Sequence, residues 1–274
     1  MPQPELLDNS FAASNMAYTI TNGGKPDAGW REVTYPANSD KGKLLATAEA
    51  HELVAPNGQH YVAFTGTNRA GDLGPDVGNF LGVKTEKYQA AAQLGELYKN
   101  EHVVMTGHSL GGGLAKTAAA VASHGAEQTV CVGFNGAPIG TRVLKDHGVD
   151  PNHLESETIQ VVNRYDALNR YTWGGKTHAY GGNAIADGNA NEVTVLAEGK
   201  GSSAGISGHR LTNLEDPNHP GHLTTQLQVN GSAVDKASFD RFAQAQQALD
   251  RPHEVVKAME HAAPAQQMEV SRGR

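Results

Sequence analysis

The chain has 274 residues, a net charge of −7 at neutral pH and a pI near 6.0. With this net negative charge, we do not expect broad electrostatic binding to nucleic acid or to an anionic membrane surface. Cys131 is the only cysteine, so the sequence holds no internal disulfide and no sign of an oxidising compartment. No stretch approaches the roughly 18 consecutive apolar residues of a membrane-spanning helix. Residues 1–8 lack the basic and apolar regions of a secretory signal, so we expect a cytoplasmic location in the producing cell.

Strands and helices alternate between about residue 11 and residue 213, which predicts an α/β sheet. An Asn57-Gly58 turn between two partly alternating segments predicts a hairpin. Residues 85–99 carry one apolar helical face. The strands predicted from these patterns cover residues 44–54, 60–65, 103–105, 129–134, 159–163 and 192–196.

Residues 102–114 carry the strongest chemical signal of the chain. A short apolar strand meets Gly107-His108-Ser109-Leu110-Gly111, and a helical pattern of small residues follows through Ala122. A Gly-x-Ser-x-Gly sequence between a strand and a helix is typical of a nucleophile elbow, a sharp turn that lifts a serine hydroxyl clear of the sheet. His108 is expected to point to the opposite side of the elbow and to support the core.

A nucleophilic serine needs a base, and the base needs an acid that orients it. In α/β-hydrolases the chain order is serine, acid, histidine. Asp166 follows the predicted strand 159–163 and is therefore the candidate acid. His209 follows a glycine-rich loop and precedes two leucines that can anchor it, so we predict it as the base. The alternative bases that follow Asp166 are His178, His219 and His222.

Residues 11–213 resemble the class 3 lipases, a family with the α/β-hydrolase fold. Besides the elbow, three segments carry the resemblance. Residues 61–67, Tyr-Val-Ala-Phe-Thr-Gly-Thr, are similar to the family's strand ending in Phe-Arg-Gly-Thr, with Thr65 where arginine is common. Residues 132–140 resemble the strand that ends in a Gly-x-Pro-x-x-Gly turn, and residues 163–168 resemble the segment that bears the acid.

The resemblance implies an α/β-hydrolase with a mostly parallel central sheet and helices on both faces, to which the residues beyond 213 add a small helical C-terminal extension. It implies oxyanion donors at Thr67 (backbone N–H and hydroxyl) and Leu110 (backbone N–H), no cofactor and no metal. It also implies a lipid or phospholipid ester substrate. Residues 68–83 lie where this family carries its lid, and an ordinary packed loop is the alternative there.

The composition changes near residue 214, which predicts a hydrolase domain over 1–213 and a polar, partly helical extension over 214–274. Residues 238–249 and a segment from Asp250 predict helices, and the tail from Ala263 is expected to be disordered. Residues 216–222, Asp-Pro-Asn-His-Pro-Gly-His, resemble the recognition domain of antibacterial type IV secretion effectors. That resemblance implies secretion machinery and an immunity protein as partners.

Two other interpretations remain open at the level of the sequence. A zinc site could use His219 and His222 with Asp216 and His209, although cysteine ligands and a helical His-x₃-His pair are missing. The chain could also be a catalytically silent module that keeps the hydrolase fold to bind a lipid or a protein. The intact elbow favours the enzyme.

Overall fold

The computed structural model describes residues 6–67, 85–125, 129–166, 192–201, 206–229 and 232–238. These residues are organised around one mixed, nine-stranded sheet. The helices are α1 (Leu6–Thr21), α2 (Asp40–Ala48), α3 (Glu86–Leu97), α4 (Leu110–Ser123) and α5 (Thr141–Asp146). The strands are β1 (Arg31–Val33), β2 (Ala50–Val54), β3 (His60–Phe64), β4 (Val103–His108), β5 (Val130–Phe134), β6 (Glu157–Asn163), β7 (Glu192–Ala197), β8 (Leu227–Val229) and β9 (Ser232–Val234).

The strands follow one another across the sheet in chain order, from β1 to β9. Strands β3 to β7 are parallel, while β1 and β2 on one side and β8 and β9 on the other add antiparallel pairs. The predicted α/β class with a mostly parallel centre is therefore confirmed. Because parallel strands end at the same edge, the segments that follow β3, β4, β5 and β6 all begin at one edge of the sheet.

Helices cover both faces of the sheet, as the sequence predicts. On one face, α1 packs against a cluster that includes Tyr61, Ala63 and Val104. On the other face, α2 to α5 contribute to a cluster that includes Val62 and Met105. Successive strand residues point to opposite faces, so strands that are buried on both sides are apolar at nearly every position.

The prediction of a strand over residues 44–54 is wrong for its first half. Residues 40–48 form α2, and the Ser39 hydroxyl caps this helix by accepting a hydrogen bond of 3.1 Å from the Gly42 N–H. Leu45 and Ala48 are its buried residues, a spacing of three that an alternating strand would not give. Glu49, in the left-handed region at φ 50°, ends the helix, and the strand begins only at residue 50.

The described part of the predicted C-terminal extension continues the sheet. Strand β8 pairs with β7, and β9 pairs with β8, while the loop over residues 216–222 precedes them. Three predicted features lie outside the described residues: the lid or packed loop over 68–83, the helices beyond residue 238 and the tail from Ala263. Among the described residues, no helix combines the length and the hydropathy that crossing a membrane requires.

Candidate active site

Ser109 lies at the sharp turn between β4 and α4, as the motif predicts. Its backbone has φ 57° and ψ −125°, a conformation that is costly for a residue with a side chain. Hydrogen bonds on both sides hold the turn: the Ser109 N–H donates to the Phe134 carbonyl (3.1 Å), and the Ser109 carbonyl accepts from the Ala137 N–H (2.8 Å). The turn is therefore fixed by β5 and by the segment that follows it.

The two glycines of the motif are required by close backbone contacts. A Cβ atom on Gly107 would lie 2.4 Å from the carbonyl carbon of Gly111, and one on Gly111 would lie 2.2 Å from the Phe64 oxygen. Real Cβ atoms do not approach other atoms so closely, so a side chain at either position would displace the elbow. The motif thus encodes how closely α4 approaches β3 and β4.

The side chains of Ser109, His209 and Asp166 form one hydrogen-bonded row. The distance from Ser109 Oγ to His209 Nε2 is 2.7 Å, and the distance from His209 Nδ1 to Asp166 Oδ2 is 2.9 Å. Because a carboxylate only accepts, Nδ1 carries the ring proton and Nε2 is left to accept the serine proton. The three residues are 5%, 3% and 0% exposed, so bulk water does not compete strongly for these bonds.

The backbones of the acid and the histidine segments lie in direct contact. A Cβ atom on Gly208 would lie 2.2 Å from the Tyr165 oxygen and 2.8 Å from the Asp166 nitrogen. Glycine at this position therefore allows His209 to approach Asp166. The turn that carries Asp166 is closed by a hydrogen bond of 2.9 Å from its own N–H to the Asn163 carbonyl.

Two buried asparagines hold the histidine segment against the sheet. The Asn135 side chain donates to the His209 carbonyl (3.1 Å) and accepts from the Asn163 N–H (2.8 Å). The Asn163 side chain donates to the Gly208 carbonyl (2.9 Å) and to the Lys200 carbonyl (3.0 Å). Both asparagines directly follow or end strands, at the same edge of the sheet as Ser109.

His108 is buried beside His209, in a supporting position. Its ring centroid lies 5.1 Å from that of His209, and its Nε2 lies 2.6 Å from the His209 carbonyl oxygen. Burial, together with the neighbouring His209, lowers the pKa of His108 to about 3. His108 is therefore a neutral hydrogen-bonding group at neutral pH, and the hydrogen bond to Ser109 Oγ comes from His209 instead.

Of the residues that the resemblance assigns to the oxyanion site, Leu110 directly follows Ser109, and Thr67 directly follows a residue that lies against the elbow. Leu110 is the first residue of α4, where backbone N–H groups have no partner within the helix. Thr67 ends the segment 65–67 that follows β3. The neighbouring Gly66 lies directly against the elbow, because a Cβ there would be 3.3 Å from Ser109 Cβ.

The two alternative bases within the described residues, His219 and His222, are paired with other side chains. His219 contacts Asp216 (3.4 Å), and His222 contacts Asp8 (3.5 Å), so the two histidines bind different carboxylates. His178 lies outside the described residues. Within the described ranges, no group of three or more His, Cys, Asp or Glu side chains could hold a metal ion.

Sequence reasoning names the row of Ser109, Asp166 and His209 but not its supports. The signal for Asn135 and Asn163 is their position, since each follows or ends a strand whose neighbour carries a candidate site residue. An asparagine at a strand end is common in ordinary turns, so this signal alone does not indicate a site.

A comparison with models of known protein families assigns the chain to a phospholipase-like family. A family model described as a Tle-like phospholipase domain matches residues 10–168, more than half of the chain. The chain belongs to this family. The matched range includes Ser109 and Asp166 and ends before His209. The resemblance to a lipase family is thus confirmed at the level of lipases and phospholipases.

Individual relatives match more weakly. The extracellular phospholipase A1 of Serratia liquefaciens is 38% identical over 96 residues, which cover 34% of this chain and 28% of that protein. The Lip2 lipase of Yarrowia lipolytica has a TM-score of 0.43 and 13% identity, covering 84% of this chain and 95% of its own. A triacylglycerol lipase of Penicillium expansum has a TM-score of 0.39 and 15% identity, covering 73% and 89%.

Proposed function

We propose that this protein hydrolyses acyl esters of phospholipids, with Ser109 as nucleophile, His209 as base and Asp166 as the acid that orients it. The observation that carries the proposal is the row of two short hydrogen bonds from Ser109 Oγ through the His209 ring to Asp166. A serine alone is a weak nucleophile at neutral pH, and this arrangement is the one that activates it.

The reaction would proceed in two halves. His209 Nε2 takes the Ser109 proton as Oγ attacks the ester carbonyl carbon, and the negative charge forms on the carbonyl oxygen. The Leu110 N–H, with the N–H and hydroxyl of Thr67, would stabilise that oxygen. The protonated His209 then gives its proton to the departing alcohol, a lysophospholipid. Water, deprotonated by His209, hydrolyses the acyl-enzyme and releases a fatty acid.

Replacement of Ser109 tests the chemistry. We expect Ser109→Ala to abolish hydrolysis of p-nitrophenyl esters and labelling by a fluorophosphonate, because both need the serine oxygen. Ser10→Ala is a matched control, since it removes another buried serine hydroxyl, one with no hydrogen-bond partner in the described structure. Equal rates for Ser109→Ala and the native protein would leave the catalytically silent binding module as the function.

Replacement of the histidines tests the assignment of the base. We expect His209→Gln to lose at least about 10³-fold in kcat, as removal of a base from such a row does. His178→Gln, His219→Gln and His222→Gln should keep activity within about twofold. If one of these three variants loses turnover and His209→Gln keeps it, the base is wrongly assigned.

The substrate is supported by the names of the relatives. The family model is that of a phospholipase domain, and the Serratia relative is a phospholipase A1, which favours phospholipid over triacylglycerol. The test compares fatty acid release from phosphatidylcholine vesicles and from a triacylglycerol emulsion, with Ser109→Ala as the blank. Faster release from the emulsion would contradict a phospholipid preference.

A finer proposal concerns the biological role. We propose that the hydrolase is an antibacterial effector that secretion machinery exports and an immunity protein neutralises, with the hydrolase in residues 1–213 and export recognition in 214–274. The resemblance of residues 216–222 supports this role. In mixed cultures, Ser109→Ala and a deletion of residues 239–274 combined with His219→Ala and His222→Ala should both abolish killing of neighbours, while the purified deletion variant keeps esterase activity. Undiminished killing by the deletion variant would contradict the export role.

A further inference from the structure

A hydrogen-bonded chain connects the segment after β3 to the histidine loop through helix α1. The Gly66 N–H donates to the Tyr18 hydroxyl, and Tyr18 Oη lies 2.9 Å from His108 Nδ1. On the other side of the ring, His108 Nε2 lies 2.6 Å from the His209 carbonyl oxygen. Three hydrogen bonds in series therefore connect the residue before Thr67 to the backbone of the proposed base.

The direction of every proton in this chain is fixed. The His209 carbonyl can only accept, so His108 Nε2 is the donor. Burial keeps the His108 ring neutral, because it lowers the pKa of that ring to about 3. His108 Nδ1 must then accept, and the donor is the Tyr18 hydroxyl, whose pKa is raised above its ordinary value by burial. The Tyr18 oxygen is left to accept from Gly66.

The contact between Tyr18 and Gly66 is too close for any other residue at position 66. A Cβ atom there would lie 2.2 Å from Tyr18 Oη and 2.5 Å from the His108 oxygen. The segment that carries Thr67 is thus enclosed between α1 on one side and the elbow on the other.

A second residue of α1 holds the same segment. The Thr21 hydroxyl lies 2.8 Å from Thr65 Oγ1 and 2.9 Å from His51 Nε2. The opposite nitrogen of His51 lies 2.8 Å from Glu32 Oε1, which fixes the orientation of the ring. Thr65 is fully buried. Two hydroxyl groups of α1 therefore bind consecutive residues: Thr21 binds Thr65, and Tyr18, about one helical turn earlier, binds Gly66.

We propose that Tyr18 and His108, with Thr21, are positioning residues for the ester hydrolysis. They fix the segment 65–67 relative to the backbone of His209, so that the oxyanion donor at Thr67 and the base keep one geometry around Ser109. This inference rests on the proposed function. It adds to that function a contribution from α1, an element outside the row of catalytic side chains.

The proposal predicts a loss in the rate of chemistry without a loss of substrate binding. Oxyanion donors act on the transition state, and displacement of a positioned group by about 1 Å can cost about 10²-fold in rate. Loss of the Tyr18 hydroxyl leaves the Gly66 N–H and His108 Nδ1 without this partner. We therefore expect Tyr18→Phe to lower kcat about 10- to 100-fold, with KM within about twofold.

The experiment compares Tyr18→Phe with a matched control, Tyr98→Phe. Tyr98 is also a buried tyrosine whose hydroxyl donates to a side chain, Glu52, at 2.6 Å, and it belongs to the opposite face of the sheet. Both variants and the native protein are measured with a p-nitrophenyl ester and with a fluorophosphonate, at a temperature where all are folded. Labelling by Tyr18→Phe should slow as much as kcat falls, while Tyr98→Phe should label at the native rate.

A second pair keeps the test informative if Tyr18→Phe does not fold. Thr21→Val removes the hydroxyl at nearly constant volume and should lower kcat, whereas Thr21→Ser keeps the hydroxyl and should restore most of it. Native kcat in the folded Tyr18→Phe protein, or equal rates for the two Thr21 variants, overturns the positioning role. If the native protein itself neither hydrolyses the ester nor reacts with the fluorophosphonate, the proposed function fails and this inference with it.

Discussion

His209 can approach Asp166 only because residue 208 is a glycine, whose side chain is a hydrogen atom. The atoms that a side chain would meet there are the Tyr165 carbonyl at 2.2 Å and 2.4 Å and the Asp166 nitrogen at 2.8 Å. All of them belong to the backbone, so they cannot rotate away as a flexible side chain would. A methyl group at position 208 must therefore displace the segment that carries His209 away from the segment that carries Asp166.

We expect Gly208→Ala to lower kcat at least about 10²-fold, because the hydrogen bonds of His209 to Asp166 and Ser109 lose their geometry. Steady-state kinetics and fluorophosphonate labelling measure the effect. Gly221→Ala is the control: its backbone has φ +85°, and nothing lies within 4 Å of a Cβ there. It should cost about 1 kcal/mol of stability without changing kcat. A Gly208→Ala protein with native kcat would show that the loop tolerates the displacement.

At the scale of elements, α1 is bound to the molecule at both ends. Tyr18 and Thr21 bind the segment after β3. Near the other end, the Asp8 carboxylate accepts from the Leu223 N–H (2.9 Å) and from Lys236 Nζ (2.7 and 2.9 Å). Residues 223 and 236 lie before β8 and after β9, so this cluster joins the first described helix to the last strands of the sheet.

Loss of the Lys236 charge should weaken the connection between α1 and the last strands. The Asp8 and Lys236 side chains are 7% and 19% exposed, so Lys236→Met leaves a nearly buried carboxylate without its cation. We expect the free energy of unfolding to fall by about 2–4 kcal/mol, measured by urea denaturation. The double variant Asp8→Asn/Lys236→Met should recover part of that loss, because no charge is left unpaired. Additive losses in the double variant would contradict an ion pair as the source of the stability.

The elements that the sequence predicts well are those whose burial dictates their pattern. Strands β3 to β6 and helices α3 and α4 lie in the central layers, so their apolar residues follow the period of the element. Helix α2 lies at the edge, where Leu45 and Ala48 are its buried residues, and its short pattern fits both a strand and a helix. Helix α1 begins at residue 6, earlier than the predicted start of the alternating region near residue 11.

In the candidate site, too, some residues can be predicted from the sequence and others cannot. The elbow is predictable because two glycines and a serine meet a specific steric demand, and Asp166 and His209 follow from chain order. The supports Asn135, Asn163 and Tyr18 are not predictable, because each acts through a hydrogen bond to a backbone group far away in sequence. The assignment of catalytic roles to Ser109, Asp166 and His209 stays a prediction until the variants are measured.

At the scale of the whole molecule, two buried titratable groups make stability depend on pH in opposite senses. His108 has a pKa of about 3 in the folded state and 6.5 ordinarily. The unfolded chain therefore binds more protons as pH falls from 6.5 to 3, and stability is lost in that range at up to about 1.4 kcal/mol per pH unit. Above pH 6.5 this loss does not occur.

Glu157 makes the stability of the fold decrease as the pH rises. Its carboxyl group is 1% exposed, has no hydrogen-bond partner in the described part of the chain, and its pKa is raised by burial from 4.5 to about 8. The folded state now binds the extra proton, so stability is lost as pH rises from 4.5 to 8. Between pH 4.5 and 6.5 the two slopes cancel, and the two groups together give a plateau of stability in that window.

Glu157→Gln removes the alkaline slope alone, because the amide keeps nearly the shape of the protonated acid and does not ionise. At pH 5 we expect the free energy of unfolding of this variant to lie within about 1 kcal/mol of the native value. At pH 8 we expect it to exceed the native value by at least about 1 kcal/mol. Urea denaturation at both pH values measures the difference. Glu155→Gln is the control, since it makes the same substitution at a side chain that is 50% exposed. Because His108 is unaltered, all three proteins must lose stability in the same way below about pH 4.5. An equal effect of Glu157→Gln at pH 5 and pH 8 would mean that Glu157 does not bind its proton in the folded state.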